Sequence, residues 1–180
     1  MASLVAEVVI DTNVLLVAEG RHEEVSDDCV LACVQRLAEI MAGATVVIDD
    51  GYRVLGEYQH KLDAGRGKGA GAVFLKWLVQ NQANARRVTR VTLRETAPDR
   101  FAEFPVASLE DAFDPSDRKF PAVSGAHPAR PPILQAVDSK WLRWWPELAG
   151  AGIEVEFLCP CDIRRFFRNK FPDEPVPSLP

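Results

Sequence analysis

Three short apolar runs in this sequence each end in a carboxylic acid, and they restrict the folds that the chain can adopt. These runs, with their acids, are residues 8–11, 45–49 and 133–138. Continuous apolar runs of this length are typical of strands buried on both faces, as in a parallel sheet covered by helices. Since ligands of such folds bind beyond the carboxyl ends of the strands, we expect Asp11 and other acids to meet there.

Helical patterns alternate with these strands. After a polar loop, Ser26 with Asp27 and Asp28 predicts the start of a helix, which Gly43 ends. Gly51 leads into a second helix that reaches about residue 62 and carries Glu57 at the margin of its apolar stripe. The order strand, helix, strand predicts right-handed parallel crossovers.

The second half of the chain continues the alternation with more loop. We expect a strand near a sheet edge at 86–93, a turn at 114–120 feeding a short helix capped by Ser116 or Asp117, and a kink near Pro121. A last edge strand at 153–158 and a closing helix follow. We predict one domain over residues 1–171, with a disordered proline-rich tail at 172–180.

Composition excludes several classes of protein. A net charge of -5 argues against binding nucleic acid through overall charge, although a local basic surface stays open. No apolar run is long enough to span a membrane, and the first residues lack a signal-peptide pattern, so we expect a cytoplasmic protein. The four cysteines have no familiar zinc spacing, and we expect reduced, largely buried thiols.

Four acids are the candidate catalytic and metal-binding residues: Asp11, Glu57, Asp117 and Asp138. Carboxylates that converge without matching basic residues repel one another unless a cation lies between them. Hard divalent cations such as Mg²⁺ or Mn²⁺ prefer oxygen ligands of this kind. Such an ion activates a bound water and stabilises the charge of a transferring phosphoryl group.

These residues resemble the PIN-domain family over nearly the whole chain. The resemblance rests on Val-Val-Ile-Asp11-Thr12-Asn13, on Glu57 after the second strand, on Asp117 in Asp-Pro-Ser-Asp-Arg-Lys-Phe and on Asp138 after Ile-Leu-Gln-Ala-Val. It implies an α/β/α sandwich around a parallel sheet and the activity of a Mg²⁺- or Mn²⁺-dependent endoribonuclease. Many members are ribonucleases, including VapC-like toxins, so the resemblance also implies RNA as partner and leaves open a cognate antitoxin, a stand-alone nuclease and a homodimer.

The resemblance makes the four acids the metal ligands, with Thr12 or Asn13 ordering Asp11 and its water. One departure lies near the fourth acid, where Lys140 precedes Trp141 at a position that is often acidic in relatives. Lys140 could contact substrate phosphate, suppress metal affinity, or reduce the site to one ion. This departure motivates an alternative, a catalytically weakened PIN scaffold that binds RNA or a protein. A haloacid-dehalogenase-type phosphatase is disfavoured, because Asn13 stands where such enzymes need a second aspartate.

Basic residues in two segments are the candidates for contacting backbone phosphates. The glycine-rich segment 64–71 carries Arg66 and Lys68, and is either a mobile linker or a loop over the substrate. Arg86 and Arg87 precede the third strand. The tryptophans around Trp141 have helical spacing, which indicates core or a dimer face more often than base stacking.

Overall fold

The computed structural model describes residues 6–62 and 65–180. In this part of the chain the strands are β1 (Glu7–Ile10), β2 (Thr45–Asp49), β3 (Val88–Val91), β4 (Glu95–Ala97), β5 (Arg100–Phe101), β6 (Ile133–Gln135) and β7 (Val155–Phe157). The helices are α1 (Thr12–Ala18), α2 (Asp27–Gly43), α3 (Arg53–Lys61), α4 (Ala70–Asn81), α5 (Ala107–Glu110), α6 (Lys119–Ala126), α7 (Trp141–Gly150) and α8 (Pro160–Lys170), with a 3₁₀ turn at Pro115–Asp117. Residues 1–5, at the start of the predicted domain, and Ala64, the first residue of the predicted glycine-rich segment, lie outside the described residues.

A five-stranded parallel sheet forms the centre of the fold, in the order β3-β2-β1-β6-β7. The middle strand, β1, pairs with β2 on one side and β6 on the other, and Val8, Val9 and Ile10 are completely or almost completely buried. β3 and β7 lie at the two edges, as their mixed polarity predicts. β4 and β5 form a separate antiparallel pair.

Helices cover both faces of the sheet and make a three-layer α/β/α sandwich. α1, α2 and α4 pack against one another, while α6 crosses β1, β2 and β6. α7 packs against β7. The chain passes from β1 to β2 to β3 towards one edge of the sheet, and from β6 to β7 towards the other edge. Because parallel crossovers are right-handed, the helices of the first two connections lie on one face of the sheet and the helix between β6 and β7 lies on the opposite face. The predicted fold class is confirmed.

Two predictions about helix starts are wrong. A helix, α1, follows Asp11 directly instead of a polar loop, because the Asp11 carboxylate accepts the backbone N–H of Asn13 at 2.9 Å and caps the helix. Neither Ser116 nor Asp117 caps α6, which continues from the 3₁₀ turn without a side-chain cap. Pro121 falls in the first turn of α6, where its missing N–H removes no helical hydrogen bond.

The tryptophan helix belongs mainly to the core. Trp141 and Trp144 are buried, and Phe113 stacks on Trp144 with 3.8 Å between ring centroids. Trp145 is half-buried, and its indole N–H donates to the carbonyl of Ser178 at 2.9 Å. Ser178 belongs to the proline-rich tail, for which we expected disorder. The tail forms no helix or strand, but its residues Val176 and Leu179 pack against a small buried cluster of Leu142, Ile163 and Phe167.

No helix of the described segments is both long enough and apolar enough to cross a membrane.

A disulfide corrects the prediction of four reduced thiols. Cys29 at the start of α2 is bonded to Cys159 before α8, across 130 residues of sequence, while Cys33 is a buried thiol and Cys161 an exposed one. The prediction rested on a reducing compartment, in which disulfides are rare. The bond joins α2 to the segment that leads into α8.

We expect loss of this disulfide to destabilise the protein. Cys29→Ser and Cys159→Ser should each lower the free energy of unfolding by about 2–4 kcal/mol, because a long loop is no longer closed in the unfolded chain. Denaturant unfolding measures the change, and Cys161→Ser is the matched control, expected to have little effect because that thiol is exposed. Titration of the denatured, unreduced protein should find two thiols; four thiols would contradict the assignment.

Candidate functional site

All four predicted acids line one cleft of about 230 Å³ at the carboxyl edge of the sheet. Asp11 follows β1, Asp138 follows β6, Asp117 ends the 3₁₀ turn and Glu57 lies in α3. The cleft has this composition because β1 and β6 are parallel neighbours, so their carboxyl ends meet at one edge. We call this space the acid cleft.

Asn13 holds two walls of the acid cleft together. Its backbone N–H and its side-chain amide both donate to the Asp11 carboxylate, and the amide also donates to the side-chain oxygen of Gln135. The side-chain oxygen of Asn13, Oδ1, accepts the backbone N–H groups of Ala136 and Val137, at 2.9 and 3.2 Å. Asn13 therefore ties the segment leading to Asp138 to the end of β1, a stronger positioning role than its predicted support of Asp11 alone.

Glu57 differs from the three aspartates because its charge is already compensated. The Thr12 hydroxyl donates to one of its carboxylate oxygens at 2.5 Å, and the ammonium of Lys119 pairs with the other. Lys119 also donates to the carbonyl of Ser116 and is mostly buried. Both oxygens of Glu57 are thus engaged, and its role as a metal ligand stays a prediction.

The three aspartates lie where ionisation is unfavourable. Burial, with the nearby charges of Asp117, Asp138 and Glu57, raises the pKa of Asp11 well above its usual value. Burial and the charges of Asp138 and Glu57 raise the pKa of Asp117 to about 6, opposed by the charge of Lys119 and a hydrogen bond from Ser116. Burial also raises the pKa of Asp138, opposed by the backbone N–H of Lys140 and the charge of Lys170. Within residues 6–62 and 65–180, none of the three carboxylates has an ion-pair partner.

This set of donors fits a hard divalent cation. Three carboxylates, buried or mostly so, face the same cleft without an ion pair among the described residues, and a cation between them would remove the repulsion that contributes to their raised pKa values. Carboxylate oxygen is the donor type that Mg²⁺ and Mn²⁺ prefer. Because Lys119 balances Glu57, the remaining charge suits one divalent ion better than two.

Other acids after the strands have structural roles. Asp49 ends β2 but is buried, and its carboxylate caps α3 by accepting the backbone N–H groups of Arg53 and Val54, both at 2.9 Å. Asp49 is therefore a buried helix-capping residue and not a solvated turn residue. Asp50 is exposed and accepts the hydroxyl of Thr92. Asp114 pairs with the ammonium of Lys140.

The structure does not bring the predicted phosphate-binding residues together at the acid cleft. Lys140 points its ammonium at Asp114 and lines a separate cleft beside Trp144. Arg86 and Arg87 lie at the amino end of β3, opposite the acids, and Arg87 donates to carbonyls at the end of α2. Arg66 and Lys68 are exposed in the segment between α3 and α4. A substrate role for any of these five stays a prediction.

Two lysines at the acid cleft were missed by sequence reasoning. Lys61 lines the cleft from the end of α3, one helical turn after Glu57, and Lys119 reaches Glu57 from α6. The four-residue spacing of Glu57 and Lys61 was a readable signal, since residues four apart share a helix face. Lys119 lies two residues after Asp117, but the sequence does not give the geometry of the turn between them, so the contact of Lys119 with Glu57 could not be predicted.

A second group of potential metal ligands lies away from the acids. The sulfur atoms of Cys29, Cys33 and Cys159 lie within 4.8 Å of one another in the interior. The disulfide uses two of them. Burial raises the pKa of the remaining Cys33 thiol to about 12, which disfavours the thiolate that a metal needs.

No family model, curated protein or solved structure matches the chain. The resemblance to PIN domains therefore stays a prediction, which rests on the four acids and the order in which they occur. The α/β/α architecture agrees with that prediction but hosts many unrelated functions.

We expect Asp11→Asn to stabilise the protein when no metal is present. The substitution removes one of the mutually repelling carboxylates, and asparagine caps a helix as well as aspartate does. The expected gain is about 1 kcal/mol, or a melting temperature higher by a few degrees, in thermal unfolding with chelator present. Asp50→Asn, an exposed aspartate at the same sheet edge, is the control and should change little. A lower melting temperature for Asp11→Asn would contradict the repulsion described above.

Proposed function

We propose that the protein is a metal-dependent endoribonuclease of the PIN type, which hydrolyses RNA phosphodiester bonds. The observation that carries this proposal is the convergence of Asp11, Asp117 and Asp138 on one cleft, where none of the three forms an ion pair with a described residue. Buried aspartates that repel one another lower the stability of the fold, so a functional role is the expected reason for their presence. Binding a divalent cation that promotes hydrolysis at phosphorus is such a role.

The three aspartates would hold one Mg²⁺ or Mn²⁺, which when bound lowers the pKa of a water and stabilises negative charge on a phosphoryl group. Asn13 keeps Asp11 and the Asp138 segment in place through its hydrogen bonds. Water attacks phosphorus, the bond to the 3'-oxygen breaks, and the proton passes to that oxygen. The products are a 5'-phosphate and a 3'-hydroxyl, and no covalent enzyme intermediate forms.

Lysines at the rim of the acid cleft give the substrate its local positive contacts. Lys61 lines the cleft with an exposed side chain, so its ammonium can reach a phosphate oxygen. This local contact suits a chain whose net charge is -5. The proposal needs neither an antitoxin nor a homodimer, and both remain expectations from the resemblance.

A second candidate function is a catalytically weakened PIN scaffold that binds RNA or a protein. The observation that favours it is the ammonium of Lys119 on Glu57, which places a permanent positive charge among the acids. The sequence suggested this alternative because of Lys140. Lys140 pairs with Asp114 outside the acid cleft, so it supports the weakened scaffold less than Lys119 does.

We expect metal-dependent RNA cleavage that requires the aspartates. A labelled structured RNA should be cut in Mn²⁺ or Mg²⁺ and not in chelator, and Asp11→Asn and Asp117→Asn should each lower the rate by at least about 100-fold, because the ion loses a ligand. Product ends are identified by phosphatase sensitivity and by ligation.

Asp50→Asn is the matched control for this experiment, since it removes an aspartate from the same sheet edge but outside the acid cleft. It should cleave at the wild-type rate. Wild-type cleavage by Asp11→Asn and Asp117→Asn would refute the mechanism. RNA binding without cleavage in any metal would favour the binding module.

A further inference from the structure

A second and larger pocket opens directly beside the acid cleft. It has a volume of about 440 Å³, and its walls include Asn13 and Asp138, which also line the acid cleft. The rest of its wall comes from the last turns of α8 and from His22, Glu24, Val137 and Ser139, so we call it the α8 pocket. A ligand with a phosphate at the aspartates would place its neighbouring group in this pocket.

Two aromatic rings form one wall of the α8 pocket. His22 and Phe166 lie with their ring centroids 5.6 Å apart and their planes tilted by 51°. The His22 ring is fixed because its Nδ1–H donates to the carbonyl of Glu23 at 2.9 Å. Partly exposed rings of this kind are platforms on which single-stranded bases stack.

Hydrogen bonds and charge hold the aromatic wall in place. The Arg165 guanidinium lies 4.7 Å from the centroid of the Phe166 ring, and it pairs with Asp162 at 2.8 Å. Asp162 in turn accepts the hydroxyl and the backbone N–H of Ser26, at 2.6 and 3.0 Å. α8 is thereby fixed to the start of α2, and the wall is formed before any ligand binds.

A lysine stands where the α8 pocket approaches the acid cleft. Lys170 lines the α8 pocket together with Asp138, the aspartate that this pocket shares with the acid cleft. Lys170 has no ion-pair partner in the part of the chain that the structure describes. Asn169 beside it supplies amide donors and an acceptor, which suit the edge of a base.

We propose that the α8 pocket binds one nucleotide of single-stranded RNA next to the scissile phosphate, with its base against His22 and Phe166 and its phosphate near Lys170. This inference rests on the proposed function, for which it supplies the substrate class: an unpaired nucleotide. A pocket of this volume has room for a single nucleotide, and a base is free to stack on protein side chains when it is unpaired. The pocket is thus a determinant of where the RNA is cut.

Binding of a short labelled single-stranded RNA, measured by fluorescence anisotropy in Ca²⁺, tests the proposal separately from cleavage. Phe166→Ala and Lys170→Ala should each weaken binding about tenfold, the first through lost stacking and the second through a lost phosphate contact. Lys170→Ala should also reduce the dependence of binding on salt by about one phosphate. Arg168→Ala is the matched control, since it removes an exposed charge from the same turn of α8 outside the pocket, and should bind as the wild type does.

Phe166→Tyr separates stacking from folding, since it keeps the ring and should bind as the wild type does. If the wild type binds RNA and the pocket variants bind equally well, the inference is overturned, even when RNA is cut. If the wild type binds no single-stranded RNA, it is overturned as well. Weaker binding by the pocket variants with no cleavage in any metal would support the pocket and reject the nuclease.

Discussion

Electrostatic repulsion between the aspartates of the acid cleft is the constraint on which the rest of the site depends. Asp11 is buried at the end of the central strand, and Asp117 and Asp138 face it from two other elements. Asp11 also caps α1, but asparagine would serve there as well, so the fold does not need its negative charge. Sites that break local rules of stability are where function is expected. The hydrogen bonds of Asn13 keep the charged segments together despite the repulsion.

Lys119 decides how much negative charge is left for a metal ion. Its ammonium balances Glu57, so the four acids carry the excess charge of three. The same pair lowers the repulsion within the acid cleft, since it compensates one of the four carboxylates. The Glu57–Lys119 pair therefore sets how much uncompensated negative charge the proposed cation would meet.

Much of the fold and the acids of the candidate site could be predicted from the sequence, because both follow from strand ends. Buried strands that end in acids predict a parallel sheet, and parallel neighbours bring their carboxyl ends together. Local sequence could not separate Asp49, which turns inward to cap α3, from Asp138, which faces the cleft. It also missed α1, because Thr12 and Asn13 look like loop residues until Asp11 is seen to cap the helix.

Features that depend on distant contacts were beyond the sequence pattern. The Cys29–Cys159 bond joins segments 130 residues apart, and spacing does not determine such a pairing. The side-chain positions of Lys119 and Lys140 depend on turns whose geometry is set by packing, and each lysine found an acid that was not expected as its partner. The α8 pocket likewise exists only because α8 is fixed to the start of α2.

Calorimetric titration with Mn²⁺ tests the central claim, that the three aspartates bind a divalent cation, without depending on any RNA. The wild type should bind about one Mn²⁺ per chain, Asp117→Asn should weaken binding by more than about tenfold, and Asp50→Asn should leave it unchanged. Absence of Mn²⁺ binding by the wild type, or equal binding by Asp117→Asn, would contradict this claim.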